Sequence, residues 1–279
     1  MVQGLRHKHP LERLLRVAEL SRSTFYYHLK ALDAVDPYAE LKLRIGAVYA
    51  RHKGRYGYRR ITAVLRQAGE LVNHKKVQKL MQALGLKSLV RAKKYRSYRG
   101  QSHHVAANVL ARDFEAERPN EKWVTDVTEF NVRGEKLYLS PVMDLYNGEI
   151  VAYETSRRPV FKLVASMLNK ALARLKPNDR PVLHSDQGWQ YQQLSYRHKL
   201  AARSVTQSMS RKGNCLDNAA MESFFGTLKA EFFHLNRFEN VDQLQTGIKQ
   251  YIRYYNHDRI KLKLKGLSPV QYRAQAFGL

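Results

Sequence analysis

Lys122-Trp123-Val124-Thr125-Asp126-Val127-Thr128-Glu129-Phe130-Asn131 is the stretch on which the fold turns. Its β-branched and aromatic residues favour a half-buried pleated surface, so it predicts a strand over 122–131. An acid within such a strand is costly unless its charge is compensated, which singles out Asp126. Glu129, three positions on, points to the other face of a regular strand. Downstream, Lys136–Asp144 and Glu149–Thr155 read as two more strands, with turns at Arg133-Gly134 and Asn147-Gly148. Asn-Gly between two such runs is a strong hairpin signal.

Farther out the period changes. Phe161–Leu175 carries Leu163, Val164, Met167, Leu168 and Ala171 at helical spacing. Pro181–Ser185 is a short buried strand, Ser204–Gln207 another, and a long helix runs from about Asn218 to His234. Three antiparallel strands followed by helix, strand, helix, strand and helix is the order of an RNase H-like α/β core. The expected sheet is mixed and five-stranded.

Before this core the pattern is all helical. Residues 11–32 predict two short helices around a turn, with Ser21 and Ser23 as competing N-caps. The segment either reads DNA as a helix-turn-helix, with Arg22 at the helix start, or is a hairpin that only packs. Three more helices follow Asp36-Pro37, the last ended by Gly85. Off their apolar stripes lie Arg59, Arg60, Lys75 and Lys76, with almost no acids nearby, as a phosphate-facing surface requires. Residues 87–104 predict an extended basic arm in which Arg91, Lys93, Lys94 and Arg96 interleave with tyrosines, a composition suited to tracking a nucleic-acid strand. The expected division is a helix-turn-helix-like segment 1–36, a helical DNA-binding module 37–86, a basic linker 87–120, the catalytic core 121–235 and a helical tail 236–279.

Charge supports the same division. The chain has 49 Lys and Arg against 24 Asp and Glu, a net of +25, which concentrates polyanions and points to nucleic acid. Residues 1–100 hold 23 of those cations and only 6 acids. The single cysteine, Cys215, excludes an intrachain disulfide and a Cys2His2 zinc finger, and fits a reducing cytoplasm. No run of residues is long and apolar enough for a transmembrane helix, and no membrane partner is expected.

Three acids fall where the predicted core would gather them: Asp126 in the first strand, Asp186 at the end of the fourth, and Glu222 near the start of the long helix. Convergent carboxylates are hard ligands that select Mg²⁺ or Mn²⁺. Two such ions about 3.5–4 Å apart activate a nucleophile and stabilise the leaving oxygen of a phosphodiester. Thirty-five residues separate Asp186 from Glu222, and Lys229 lies seven beyond Glu222, two helical turns along nearly the same face. Asp144 is better read as a turn-shaping residue, Asp217 as a helix-start residue and His184 as structural. Trp189 and Tyr191 either stack on a displaced base or pack the loop.

These fragments, with Ser21-Arg22-Ser23-Thr24-Phe25-Tyr26, Tyr56-Gly57-Tyr58-Arg59-Arg60-Ile61, His184-Ser185-Asp186-Gln187-Gly188 and Ser208 to Asn218, resemble the second-frame catalytic protein of the insertion-sequence transposases of the third numbered family, within the DDE transposase and retroviral integrase superfamily. The resemblance runs through Glu222-Ser223-Phe224-Phe225, Lys229, Glu231 and Tyr254-Tyr255-Asn256 to Leu267-Ser268-Pro269. It implies metal-dependent cleavage of element ends and strand transfer into target DNA. Asp126, Asp186 and Glu222 would be both catalytic and metal-binding, with two Mg²⁺ or Mn²⁺ ions and no organic cofactor. Lys229, Arg211 and Lys212 join the DNA-contacting cations. Expected partners are end and target DNA, further copies in a synaptic complex, and the first-frame product, separate or fused. The expected place is the bacterial cytoplasm, at the nucleoid. Two alternatives remain: a nuclease of the same fold that never joins strands, and a transposase-derived DNA-binding regulator without activity.

Overall fold

The computed structural model describes residues 2–33, 36–89, 106–211 and 215–276. The chain divides into two compact units, Met1–Ala47 and Val48–Leu279. The first holds α1 (Val2–Leu5), α2 (Leu11–Val17) and α3 (Arg22–Asp33). Leu15 of α2 and Phe25 of α3 are buried apolar anchors of these helices. Of the two candidate caps Ser21 fills the role, its Oγ accepting the Thr24 N–H at 3.1 Å.

Three helices follow as expected, α4 (Ala39–Arg51), α5 (Tyr58–Gln67) and α6 (His74–Ala83). Asn73 caps α6 by accepting the Lys75 N–H at 2.9 Å. Gly85, at φ +67°, supplies the left-handed turn after it. Ile61, Leu65, Val77, Leu80 and Met81 form the buried stripes of α5 and α6.

The sheet contains β1 (Lys122–Thr125), β2 (Thr128–Val132), β3 (Glu135–Asp144), β4 (Ile150–Ser156), β5 (Val182–Ser185) and β6 (Thr206–Met209). Pairs β1–β3, β2–β3 and β3–β4 are antiparallel, whereas β1–β5 and β5–β6 are parallel. The expected single strand over 122–131 is thus two strands, and the sheet has six rather than five. The cause lies in the partner. Thr125 faces Val142 and Thr128 faces Leu139, one continuous register on β3. Extending that register sets Asp126 opposite Pro141, which has no N–H to give the ladder. One strand line is therefore opened at Asp126-Val127.

The turns divide likewise. Arg133 and Gly134 take φ of +51° and +93°, as a two-residue hairpin turn demands. Asn147-Gly148 does not form such a turn. The Asp144 N–H bonds to Glu149 O at 2.9 Å and the Gly148 N–H to Asp144 O at 2.7 Å, enclosing a longer loop. Asn147 is fixed instead by a tertiary bond from its Nδ2 to Pro269 O at 2.9 Å.

Helices cover both faces, which is what buries a mixed sheet. On one face α7 (Phe161–Leu172) and α8 (Leu194–Ala201) pack with Trp123, Val142, Leu183, Tyr191 and Tyr196. On the other, α9 (Ala219–Glu231) and α10 (Val241–His257) pack on Val124, Phe130, Leu137 and Leu139. A last helix, α11 (Pro269–Ala276), closes the chain. The helical tail is therefore part of this second core, to which it gives Val241, Leu244, Ile248, Tyr251, Ile252 and Tyr255. Residues 106–120 are likewise no free arm, since the Leu110 N–H bonds to Ser208 Oγ at 3.0 Å and the Met209 N–H to Ala107 O at 3.3 Å.

Candidate active site

The parallel pairing of β1 with β5 places the first two acids. Lys122 faces Val182, Trp123 faces Leu183 and Val124 faces His184. Two residues on, the same register sets Asp126 beside Asp186, at the C-terminal ends of adjacent strands and on one face. Strands in a sheet lie about 4.8 Å apart, so the two carboxyl groups are neighbours by topology. That face is the one α9 covers, because Val124 and Phe130 share it with Met221, Phe224 and Leu228.

Asn218 fixes the start of α9 to this edge. Its Nδ2 donates to Thr125 O at 3.1 Å, in a buried contact immediately before Asp126. Glu222 stands one turn farther along α9, half-buried, and Lys229 two turns beyond it. The Lys229 ammonium sits 5.2 Å above the centre of the Phe130 ring. Burial lowers the pKa of this lysine, while Glu129 and Asp126 work against that shift.

Both aspartates titrate above the ordinary carboxylate range. For Asp126 the causes are burial first, then the charge of Asp186 and, more weakly, that of Glu222. For Asp186 the cause is the surrounding protein, although its side chain opens to solvent at the strand end. Two N–H groups relieve them in part, Val127 donating to Asp126 Oδ1 at 2.7 Å and Gly188 to Asp186 Oδ1 at 2.9 Å, and the charge of Lys229 adds a weaker pull on Asp126. Among the described residues no three His, Cys, Asp or Glu side chains converge tightly enough to hold an ion. The donor set nevertheless fits a hard divalent cation, since carboxylates crowd with too little positive charge to balance them.

The remaining acids have other work. Asp144 lies at the opposite end of β1, paired across the sheet with Trp123. It accepts the Tyr146 N–H at 3.0 Å and pairs with Arg273, so it shapes the turn. Glu129 is exposed and pairs with Lys136 at 3.2 Å. His184 is fully buried between Ser208 Oγ (2.8 Å) and Ser210 Oγ (3.0 Å), and burial pushes its pKa down to about 4. It is a neutral structural residue. Tyr191 packs edge-on against Tyr196 in the core, whereas Trp189, three residues after Asp186, is 52% exposed.

The candidate DNA-contacting cations are distributed unequally. Arg22, Arg59 and Lys75 are exposed, and Lys76 is half-buried. Arg60 is half-buried and pairs with Glu231 at 3.3 Å. Arg211 is exposed yet holds Asp217 through Nε at 3.0 Å and Nη2 at 2.9 Å. Arg91, Lys93, Lys94, Arg96 and Lys212 lie outside the described residues.

Two polar clusters were not legible beforehand. Asp217, in the 3-10 turn before α9, accepts from Arg211, from Arg112 Nε at 2.8 Å and from Asn108 Nδ2 at 3.1 Å. Those guanidinium groups hold its carboxyl well below the usual range. It ties β6 and residues 106–112 to the helix that carries Glu222. Glu231, at the far end of α9, binds Arg259 through both oxygens (2.7 and 2.8 Å), Arg60, and Tyr251 Oη at 3.0 Å. Besides its place in the family resemblance, its sequence signal is an acid set among Phe224, Phe225, Leu228 and Phe232.

Comparison with known proteins bears on the whole chain. Family models described as integrase core domains match residues 116–215 and 222–277, and a model of an HTH-like domain matches residues 37–94. The putative transposase InsK of insertion sequence element IS150 from Escherichia coli is 57% identical, over 99% of this chain and 98% of its own length. A probable transposase of element IS1353 from Shigella flexneri is 38% identical over 100% of this chain but 55% of its own. The transposase InsF of IS3A from Escherichia coli is 32% identical over 94% and 93%. With this coverage and identity, the chain belongs to the insertion-sequence transposases that carry an integrase core domain, the family of the IS150 and IS3A proteins.

Proposed function

We propose that this protein is a DDE-type transposase that cuts the ends of its own insertion element and joins them to target DNA, with Asp126, Asp186 and Glu222 as its catalytic carboxylates. The observation that carries the assignment is the β1–β5 register, which brings Asp126 and Asp186 side by side beneath the helix bearing Glu222. Those three residues would hold Mg²⁺ or Mn²⁺, two ions by the chemistry of the reaction. When bound, the ions supply an activated nucleophile and stabilise the leaving 3′ oxygen. The protein's own part is to orient the carboxylates through Asn218 and the two N–H groups, and to present Lys229 to a phosphate two turns from Glu222.

The helical modules before residue 87, with Arg22, Arg59, Lys75 and Lys76, and the basic segment with Arg91, Lys93, Lys94 and Arg96, deliver the DNA. The core of residues 121–235 does the chemistry, and 236–276 complete its second layer. Pairing of two ends calls for more than one copy in a synaptic complex. A first-frame partner, separate or fused, is supported by the Shigella flexneri relative, nearly half of which lies outside the match. The cytoplasm, at the nucleoid, is where such DNA is found. No helix of the described residues is long and apolar enough to cross a membrane.

Purified protein, its first-frame partner, Mg²⁺ and labelled end DNA test this reading. Cleavage and joining should appear with Mg²⁺ and vanish with chelator. Asp126→Asn, Asp186→Asn and Glu222→Gln should each lower both by roughly a thousandfold, or about 4 kcal/mol of transition-state stabilisation. Full activity in any of the three removes that residue from the site. Hydrolysis without joining would show a nuclease.

A further inference from the structure

A cleft of about 730 Å³ opens between the start of α5 and the outer face of α9. Arg55, Arg59, Arg60 and Arg259 line it, against Glu231 as the one acid in its wall. Glu231 is already saturated by Arg259, Arg60 and Tyr251. Arg55 is taken up differently, donating to the Glu231 carbonyl at 3.0 Å with its guanidinium 4.7 Å over the Tyr254 ring. Four cations against one anion give the wall a formal net charge of +3. Arg59 is the exposed member, engaged with the neighbouring Tyr58 Oη at 3.2 Å.

The floor of the cleft is Ser223, Gly226, Thr227 and Ala230 of α9. Counting 100° per residue, these sit between about 40° and 140° round the helix from Glu222. The stripe of Glu222 and Lys229 is thus the adjoining face of the same helix, and Ser223 of the cleft floor directly follows Glu222. Small side chains give this floor low relief, so a backbone can come close to the helix. Excess arginine over a small-residue floor, contiguous with carboxylates that act on phosphodiesters, matches one ligand chemistry.

We propose that this cleft seats the phosphodiester backbone of a DNA strand entering the active site along α9, with Arg59 as the phosphate contact. The inference rests on the transposase reading above and adds to it a path for the strand. It also gives the helical module a second role, as one wall of the substrate channel.

The test uses the full chain with end-sequence duplex and Ca²⁺ in place of Mg²⁺, read by fluorescence anisotropy across a salt series. Arg59→Ala should weaken binding at least fivefold and reduce the salt slope by about one, the signature of one lost phosphate contact. Arg59→Lys should restore most of the affinity, and thermal unfolding should match the parent. A photo-crosslinker on Thr227→Cys, in a Cys215→Ser background, should form an adduct with the DNA. Unchanged affinity and slope in Arg59→Ala, or a Thr227 probe that labels protein but never DNA, overturns the channel while the parent still cuts and joins. A parent that neither binds nor joins end DNA overturns the transposase reading, and the channel with it.

Discussion

Lys229 shows how far a single residue could be read. Its seven-residue distance from Glu222 placed it on the right face, and the structure sets it over Phe130 within the fields of Asp126 and Glu129. Its partial burial was not legible, because Phe130 reaches it from β2, a distant strand in the sequence. Lys229→Ala should reduce end-DNA binding and joining about tenfold while Mg²⁺ dependence of the residual activity is unchanged. Lys229→Arg should recover much of the loss. A metal titration and a joining assay on both variants check this, and equal joining by Lys229→Ala and parent would refute it. His52 illustrates the opposite case, a residue with no sequence signal. It stacks on Tyr56 at 3.8 Å and 7°, and burial, then Arg51, pushes its pKa from 6.5 to about 4. A depressed histidine pKa means the unfolded chain takes up the proton first. Its contribution to stability is therefore complete above about 6.5 and is lost as pH falls towards about 4. Denaturant midpoints of parent and His52→Phe should diverge across that window, the parent falling more steeply on acidification. Parallel curves would mean that His52 titrates normally.

Elements were legible where the period ran unbroken and less so where a distant partner decides. The stripe Leu163, Val164, Met167 and Leu168 gave α7, and Val182 to Ser185 gave β5, from local pattern alone. The break between β1 and β2 was not legible, because it is set by Pro141 on the facing strand rather than by residues 126 and 127 themselves. Asn147-Gly148 failed as a tight turn for a similar reason, Asn147 being claimed by Pro269 O, 122 residues away. The junction of α9 with β1 carries a prediction at this scale. Asn218 is buried and makes its bond to Thr125 O, which no short-range pattern reveals. Asn218→Ala should leave that carbonyl without this donor and cost about 1–3 kcal/mol. A urea midpoint lowered without change in slope would show it. Because the same bond sets α9 over Asp126, joining should fall by more than DNA binding does. A variant with parental stability and parental joining would show that the helix is held elsewhere.

At the scale of the whole molecule, charge and packing have to be separated. The contacts that join α5 and the turn before it to α9 and the end of α10 span 171 residues for Arg60–Glu231 and 202 for Tyr56 Oη to Asp258 O, beyond the reach of any sequence period. They explain why the helical module before the basic segment and the catalytic core are parts of one compact unit from Val48 onward. Deleting residues 1–100 would thus remove Arg55, Tyr56 and Arg60 from that unit as well as cations from the DNA-facing surface, and would confuse the two effects. The sequence offers a cleaner division. Residues 1–36 hold six Lys and Arg against four Asp and Glu, whereas residues 37–100 hold seventeen against two. The positive field of the first third therefore lies almost wholly after Asp36. Counterion release makes the salt slope of binding a count of phosphates neutralised, close to 0.9 per contact. Removing residues 1–36 should then leave that slope nearly as it is, even if the affinity for end DNA declines. Lys75→Ala with Lys79→Ala, both exposed on α6, should lower it by about two. Anisotropy titrations of the three proteins on one duplex over a range of salt give the slopes directly. A slope that collapses on loss of residues 1–36 and ignores the α6 lysines would place the DNA-facing charge in the first compact unit instead.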